Sequence, residues 1–184
     1  MLCYPPTTPA PPRPQMASAP RYLPARPLPS YAYVPGRGGH GAHPTQDPAG
    51  HSYGVEIEAI YLSPTRWEEN DDYLFGVDLY NHGYLWEAHE AWEGLWQQAG
   101  HDALQATFLQ GLIQCAAAAL KIAMDQPRGL ERLSQAGTGR LAQVAASEPE
   151  FMGLDIAEFA AAFRSFAASQ PQSADERPLL ELED

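Results

Sequence analysis

Residues 84–100, "YLWEAHEAWEGLWQQAG", and residues 102–125, "DALQATFLQGLIQCAAAALKIAMD", decide the fold. At about 100° per residue, Leu85, His89, Trp92 and Trp96 of the first stretch fall on one side, with Trp86 and Glu93 alongside. Gly100 closes that stretch, as glycine commonly closes a helix. The second stretch is apolar nearly all round except for Gln110, Gln114 and Lys121, which share a stripe with Thr107, and Asp102 stands where an N-cap belongs. Two adjacent helices are the reading.

Working outward, residues 63–83, "SPTRWEENDDYLFGVDLYNHG", predict one helix capped by Ser63 with Pro64 at its first position. Residues 127–145 predict another, with Pro127 in its first turn, Leu130, Leu133, Leu141 and Val144 along one face, and Gly137 and Gly139 weakening its middle. "DIAEFAAAFRSFAAS" opens with Asp155 and Glu158, a variant of the capping box. The fold class is all-α, a compact bundle of about five helices over residues 63–169. Thirteen of the 18 prolines lie in residues 1–48, and proline fixes φ and offers no donor, so a Pro-rich extended arm precedes the bundle. Residues 1–21 are expected to be a disordered tail, residues 22–62 an arm whose Tyr, Leu and Val pack on the domain, and residues 170–184 a loose acidic tail.

The bulk properties exclude some functions. A net charge of −12 argues against nonspecific nucleic-acid binding, which needs a basic face. Residues 1–54 carry four Arg and one Asp (+3), whereas residues 55–184 carry seven basic and 22 acidic residues (−15). The apolar stretch Phe108 to Met124 is interrupted by Gln110, Gln114 and Lys121, so a buried helix is expected rather than a membrane span. Cys3 and Cys115 are too few for a disulfide scaffold, and no secretory signal precedes them, so the expected setting is a reducing cytoplasm.

The apolar side of residues 84–100 carries an imidazole and a carboxylate, His89 and Glu93, spaced to touch. A buried Glu93 needs a partner. Glu90 sits at the edge of this face and Glu87 is expected to point outward. Periodicity alone turns the Gln110–Gln114 stripe toward water. The motif "YNHGYLWEAHEAWEGLW" followed by "FLQGLIQ", however, resembles the helical family called domain of unknown function 309, through Asn81, Glu87, Ala88, His89, Glu90, Glu93 and Trp96, then Gln110, Gly111, Ile113 and Gln114. The resemblance covers about residues 74–145. It implies a compact helical domain with the two motif helices adjacent, and so favours a Gln stripe facing His89 and Glu93; it implies no reaction.

Three readings of this cluster stay open: a satisfied polar network that fixes helix register, a divalent metal site, and an acid–base site. Asn81, Gln110, Gln114 and Lys121 are candidate cofactor-binding residues. In the arm, His40, His43, Asp47 and His51 would complete a metal shell with His89 and Glu93 if the arm folded over the bundle; the simpler reading is a polar loop. Residues 50–54, "GHSYG", spell G-x-S-x-G, but no strand leads into Ser52 and no helix leaves it, so Ser52 is read as a loop serine. The expected function is a small ligand-binding or interaction module of bacterial type. The alternative is a metal-dependent enzyme, a hydrolase, using His89, Glu90 and Glu93. A small-molecule or protein partner is expected, not nucleic acid or membrane, and the arm suits docking on another subunit of a homo-oligomer.

Overall fold

The computed structural model describes residues 19–39, 41–55 and 59–183. Of the expected tail, residues 1–18 lie outside the described residues, as does His40; its last residues are not loose, since Ala19 is buried and Arg21 pairs with Asp78. Five α-helices follow in order: α1 Asp71–Asn81, α2 Leu85–Gln98, α3 Ala103–Ala123, α4 Pro127–Ala145 and α5 Ile156–Ala168. A two-strand antiparallel hairpin, β1 Glu150–Phe151 and β2 Leu154–Asp155, links α4 to α5.

The helix expected from Ser63 is two pieces. Residues Pro64–Glu69 form a 3-10 segment in which Arg66 leaves helical geometry and Ser63 makes no side-chain cap. The α-helix starts afresh at Asp71, because Asn70 caps it: its Oδ1 accepts the Tyr73 N–H at 3.0 Å. Asp102 caps α3 through the Gln105 N–H and Asp155 caps α5 through the Glu158 N–H, each satisfying one of the orphan donors of a helix start.

Consecutive helices pack on one another, and α3 lies against both α2 and α4. Among the described residues α3 alone is long and apolar enough to cross a bilayer, and half of that stretch is buried inside the bundle. Its seam with α4 is made by two glycines. A Cβ at Gly137 would stand 2.9 Å from both Cys115 Sγ and the Gly111 carbonyl, and one at Gly111 would stand 2.8 Å from Leu141. Gly137 therefore lets two backbones meet, which outweighs its poor helix propensity; Gly139, two residues on, faces open space.

The C-terminal stretch, expected to be loose, is docked on α1. Leu180 is buried, and its N–H and C=O are taken up by the Asn81 side chain, each at 2.8 Å. The Tyr80 hydroxyl donates to the Pro178 carbonyl at 3.0 Å. Arg177, also buried, donates to the carbonyls of Tyr80 and Asn81 at the end of α1, where a cation complements the helix dipole. The acidic residues that suggested looseness, Glu181 and Glu183, stay exposed while their apolar neighbours turn inward.

Two of the glycines of α4, Gly137 and Gly139, give a paired test. Gly137→Ala is expected to destabilise the chain by about 1–3 kcal/mol through overpacking, despite the better helix propensity of Ala. Gly139→Ala is expected to stabilise it by up to about 1 kcal/mol. Urea denaturation of the two variants beside the parent measures both, and equal effects would refute the close-approach role.

Candidate functional site

Helix α2 presents three kinds of surface. Leu85, Ala88, Trp92 and Leu95 are buried in the core at helical spacing. Next to that face, His89, Glu90 and Glu93 remain partly in water, with side-chain exposures of 29%, 39% and 42%. One ligand atom from each lies within 4.8 Å of the other two. His89 Nδ1 is 3.2 Å from Glu90 Oε1, and His89 Nε2 is 4.0 Å from Glu93 Oε2. The Nδ1 atom is itself shielded from solvent, yet its approach to Glu90 is not aligned as a hydrogen bond, so it has no hydrogen-bond partner among the described residues. The expectation of a buried Glu93 is thus corrected: periodicity placed it near the core face, but its side chain stays 42% exposed.

The buried carboxylate of α2 is Glu87, which was expected to point outward. The arm covers it. Glu87 Oε1 accepts the Tyr33 backbone N–H at 2.9 Å and lies 3.1 Å from His51 Nε2; Oε2 is buried with no partner among the described residues. Burial raises the Glu87 pKa above its ordinary value, and the Tyr33 and His51 hydrogen bonds only partly oppose that. On α1, Asp78 is fully buried and accepts from Arg21 Nε at 2.8 Å, Tyr22 N–H at 2.8 Å and Leu23 N–H at 3.0 Å. The arm is therefore pinned at two carboxylates. Asp78, flanked by apolar residues in "FGVDLY", carried a visible signal of burial; Glu87 carried none, because its cover comes from a loop more than 30 residues away.

The other candidates are dispersed. Gln110 and Gln114 of α3 accept from the Arg140 guanidinium of α4, at 2.8 and 2.9 Å, and no hydrogen bond joins either amide to His89 or Glu93. The stripe therefore belongs to the α3–α4 seam, where the glycine contact brings Arg140 within reach. Asn81 anchors the C-terminal stretch, and Lys121 lies along Gly129 with its ammonium 3.6 Å from Met124 Sδ. His43 packs its ring on Tyr33 and Trp86, with Nδ1 turned to the N–H groups of Thr45 and Gln46. Asp47 accepts from Ala49 N–H within its own turn. The arm does fold over the bundle, but it delivers His51 to Glu87 rather than a ligand to His89: the three-residue group on α2 is the one metal-competent cluster among the described residues.

Residues 73–133, from α1 into the first part of α4, match the family model described as Domain of unknown function (DUF309). No curated protein and no solved structure matches the chain. The arm and the C-terminal stretch both lie outside the matched span, although they cover its Asp78, Asn81 and Glu87.

The raised pKa of Glu87 sets a pH dependence. A carboxyl that holds its proton more tightly when folded adds stability below its unfolded pKa, about 4.3. That contribution is lost as the pH rises through the higher folded value. Glu87→Gln keeps an acceptor for Tyr33 and His51 and cannot ionise. Its melting temperature relative to the parent is expected to climb as the pH rises above about 4, as followed by circular dichroism. A difference that stays flat or falls would mean that the fold favours the Glu87 anion.

Proposed function

We propose, for a chain whose residues 73–133 form a DUF309 domain, that it is a small ligand-binding module whose ligand is a divalent cation held by His89, Glu90 and Glu93. The observation that carries this reading is the convergence of one imidazole and two carboxylates within 4.8 Å on an open flank of α2. A closed register-fixing network would be dry and hydrogen-bonded; here all three side chains reach water, and among the described residues His89 Nδ1 has no hydrogen-bond partner.

A mixed nitrogen and carboxylate set suits a transition-series dication such as Zn²⁺ or Mn²⁺. Three protein donors leave further positions to solvent, the pattern of metal sites that do chemistry rather than staple a fold. That openness supports the second reading, a metal-dependent hydrolase, since a bound dication lowers the pKa of its water and supplies a nucleophile near neutral pH. Gln110, Gln114 and Lys121 have no part in this site, because their polar ends are turned to Arg140 and Met124.

The test is equilibrium dialysis of the chelator-stripped chain against Zn²⁺ or Mn²⁺, read by elemental analysis. One equivalent is expected, with affinity lowered roughly tenfold or more in His89→Ala and in Glu93→Gln, the usual scale for a disturbed metal site. Gln110→Ala is expected to bind as the parent does. Absence of stoichiometric metal, or binding that survives both ligand substitutions, would overturn the assignment.

A further inference from the structure

The loop serine of "GHSYG" has acquired a chemical setting that its sequence context did not promise. Ser52 Oγ lies 2.8 Å from His51 Nδ1, and His51 Nε2 lies 3.1 Å from Glu87 Oε1. Hydroxyl, imidazole and carboxylate thus form one chain. Its direction is set by Tyr33, whose backbone N–H already donates to the same Glu87 oxygen. With Glu87 ionised, that oxygen can only accept, so His51 donates from Nε2. The lone pair on Nδ1 then faces the Ser52 hydroxyl, the arrangement in which an imidazole removes the proton of a nucleophile.

The ring is held on every side. His51 is only 9% exposed, Tyr31 packs against it at 4.6 Å between ring centres, and the Tyr31 oxygen accepts the His51 backbone N–H at 3.3 Å. The two glycines of the motif have physical roles, though not those of a strand-to-helix elbow. A Cβ at Gly50 would strike the His43 and Pro44 carbonyls, so the turn closes tightly behind His51. Gly54 adopts a φ of 71°, which favours glycine and turns the chain just beyond Ser52. Ser52 itself stays within reach of solvent, and the exposed side chains of Tyr53 and Val55 follow it as an apolar surface.

We propose that Ser52 is a nucleophile that takes an acyl group from esters of short fatty acids with good leaving groups, with His51 as its base and Glu87 as the positioning residue. Ser52 Oγ bonds to the acyl carbon while its proton passes to His51 Nδ1; the ester C–O bond breaks and the leaving oxygen takes that proton. Water then attacks the acyl carbon and gives a proton to Nδ1. As the Oγ–acyl bond breaks, that proton returns to Oγ and the free acid departs. The site uses none of His89, Glu90 and Glu93, so it stands or falls independently of the metal reading.

The full chain would be mixed with p-nitrophenyl butyrate, the release of p-nitrophenolate followed, and the acylated residue located by peptide mass spectrometry. A burst of one equivalent and a butyryl group on Ser52 are expected, both absent from Ser52→Ala. Glu87→Gln, which keeps an acceptor for Tyr33 and His51 but removes the charge that steadies His51 when it takes the Ser52 proton, is expected to slow acylation at saturating ester by roughly a hundredfold without changing the half-saturating concentration. Acylation of another residue, no burst, or a rate indifferent to Glu87→Gln would each overturn the proposal.

Discussion

A carboxylate taken out of water must be met by donors, and in this chain that requirement organises the surface of the bundle. Asp78 lies mid-helix in α1 with no exposure and is met by three donors, all from Arg21, Tyr22 and Leu23. Without the arm it would be an uncompensated acid, costing several kcal/mol if it stayed buried. A charge that could have been solvated instead fixes where an irregular segment lies. The arm supplies little periodic structure of its own, and it gains a defined path from two acceptors on regular helices, Asp78 and Glu87.

The same logic closes the other end of α1. Helix ends leave carbonyl groups without partners. Those of Tyr80 and Asn81 are taken by the buried guanidinium of Arg177, while the Asn81 side chain pairs both backbone groups of Leu180. From Tyr73 to Asn81 every residue of α1 is buried, including Asp78 and Asn81. A helix covered all round cannot be amphipathic. Its cover comes from segments remote in sequence, the arm on one flank and the C-terminal stretch on its end.

That remoteness marks what the sequence could disclose. Helices α2 to α5 were legible because hydrophobic spacing and caps such as Asp102 and Asp155 are local signals. The break before α1 was misread because Ser63 and Asn70 both satisfy the pattern of an N-cap, and only the kink at Arg66 decides between them. For the candidate site, periodicity identified the helix and the residues His89, Glu90 and Glu93, but it exchanged the environments of Glu87 and Glu93. A helical wheel describes one covered face. It has no means of showing a second cover laid on by a loop, and here the loop covers the flank that holds Glu87 and leaves the flank that holds Glu93. The Gln stripe was misplaced for a related reason: its partner Arg140 comes within reach through the contact between Gly111 and Gly137, which reads locally as two poor helix formers.

The consequence for chemistry is that α2 places like residues in unlike surroundings within two turns. Glu87, beneath the arm, has exchanged water for one backbone N–H and one imidazole, and is suited to hold that imidazole in a single tautomer. Glu90 and Glu93, 39% and 42% exposed, keep their carboxylates in reach of water beside His89. Which role each carboxylate can fill follows from what lies over it rather than from its place in the motif. The match to the family spans the helix but not its cover, so within this chain the arm, and not the motif, separates a carboxylate that is buried from carboxylates that stay in water.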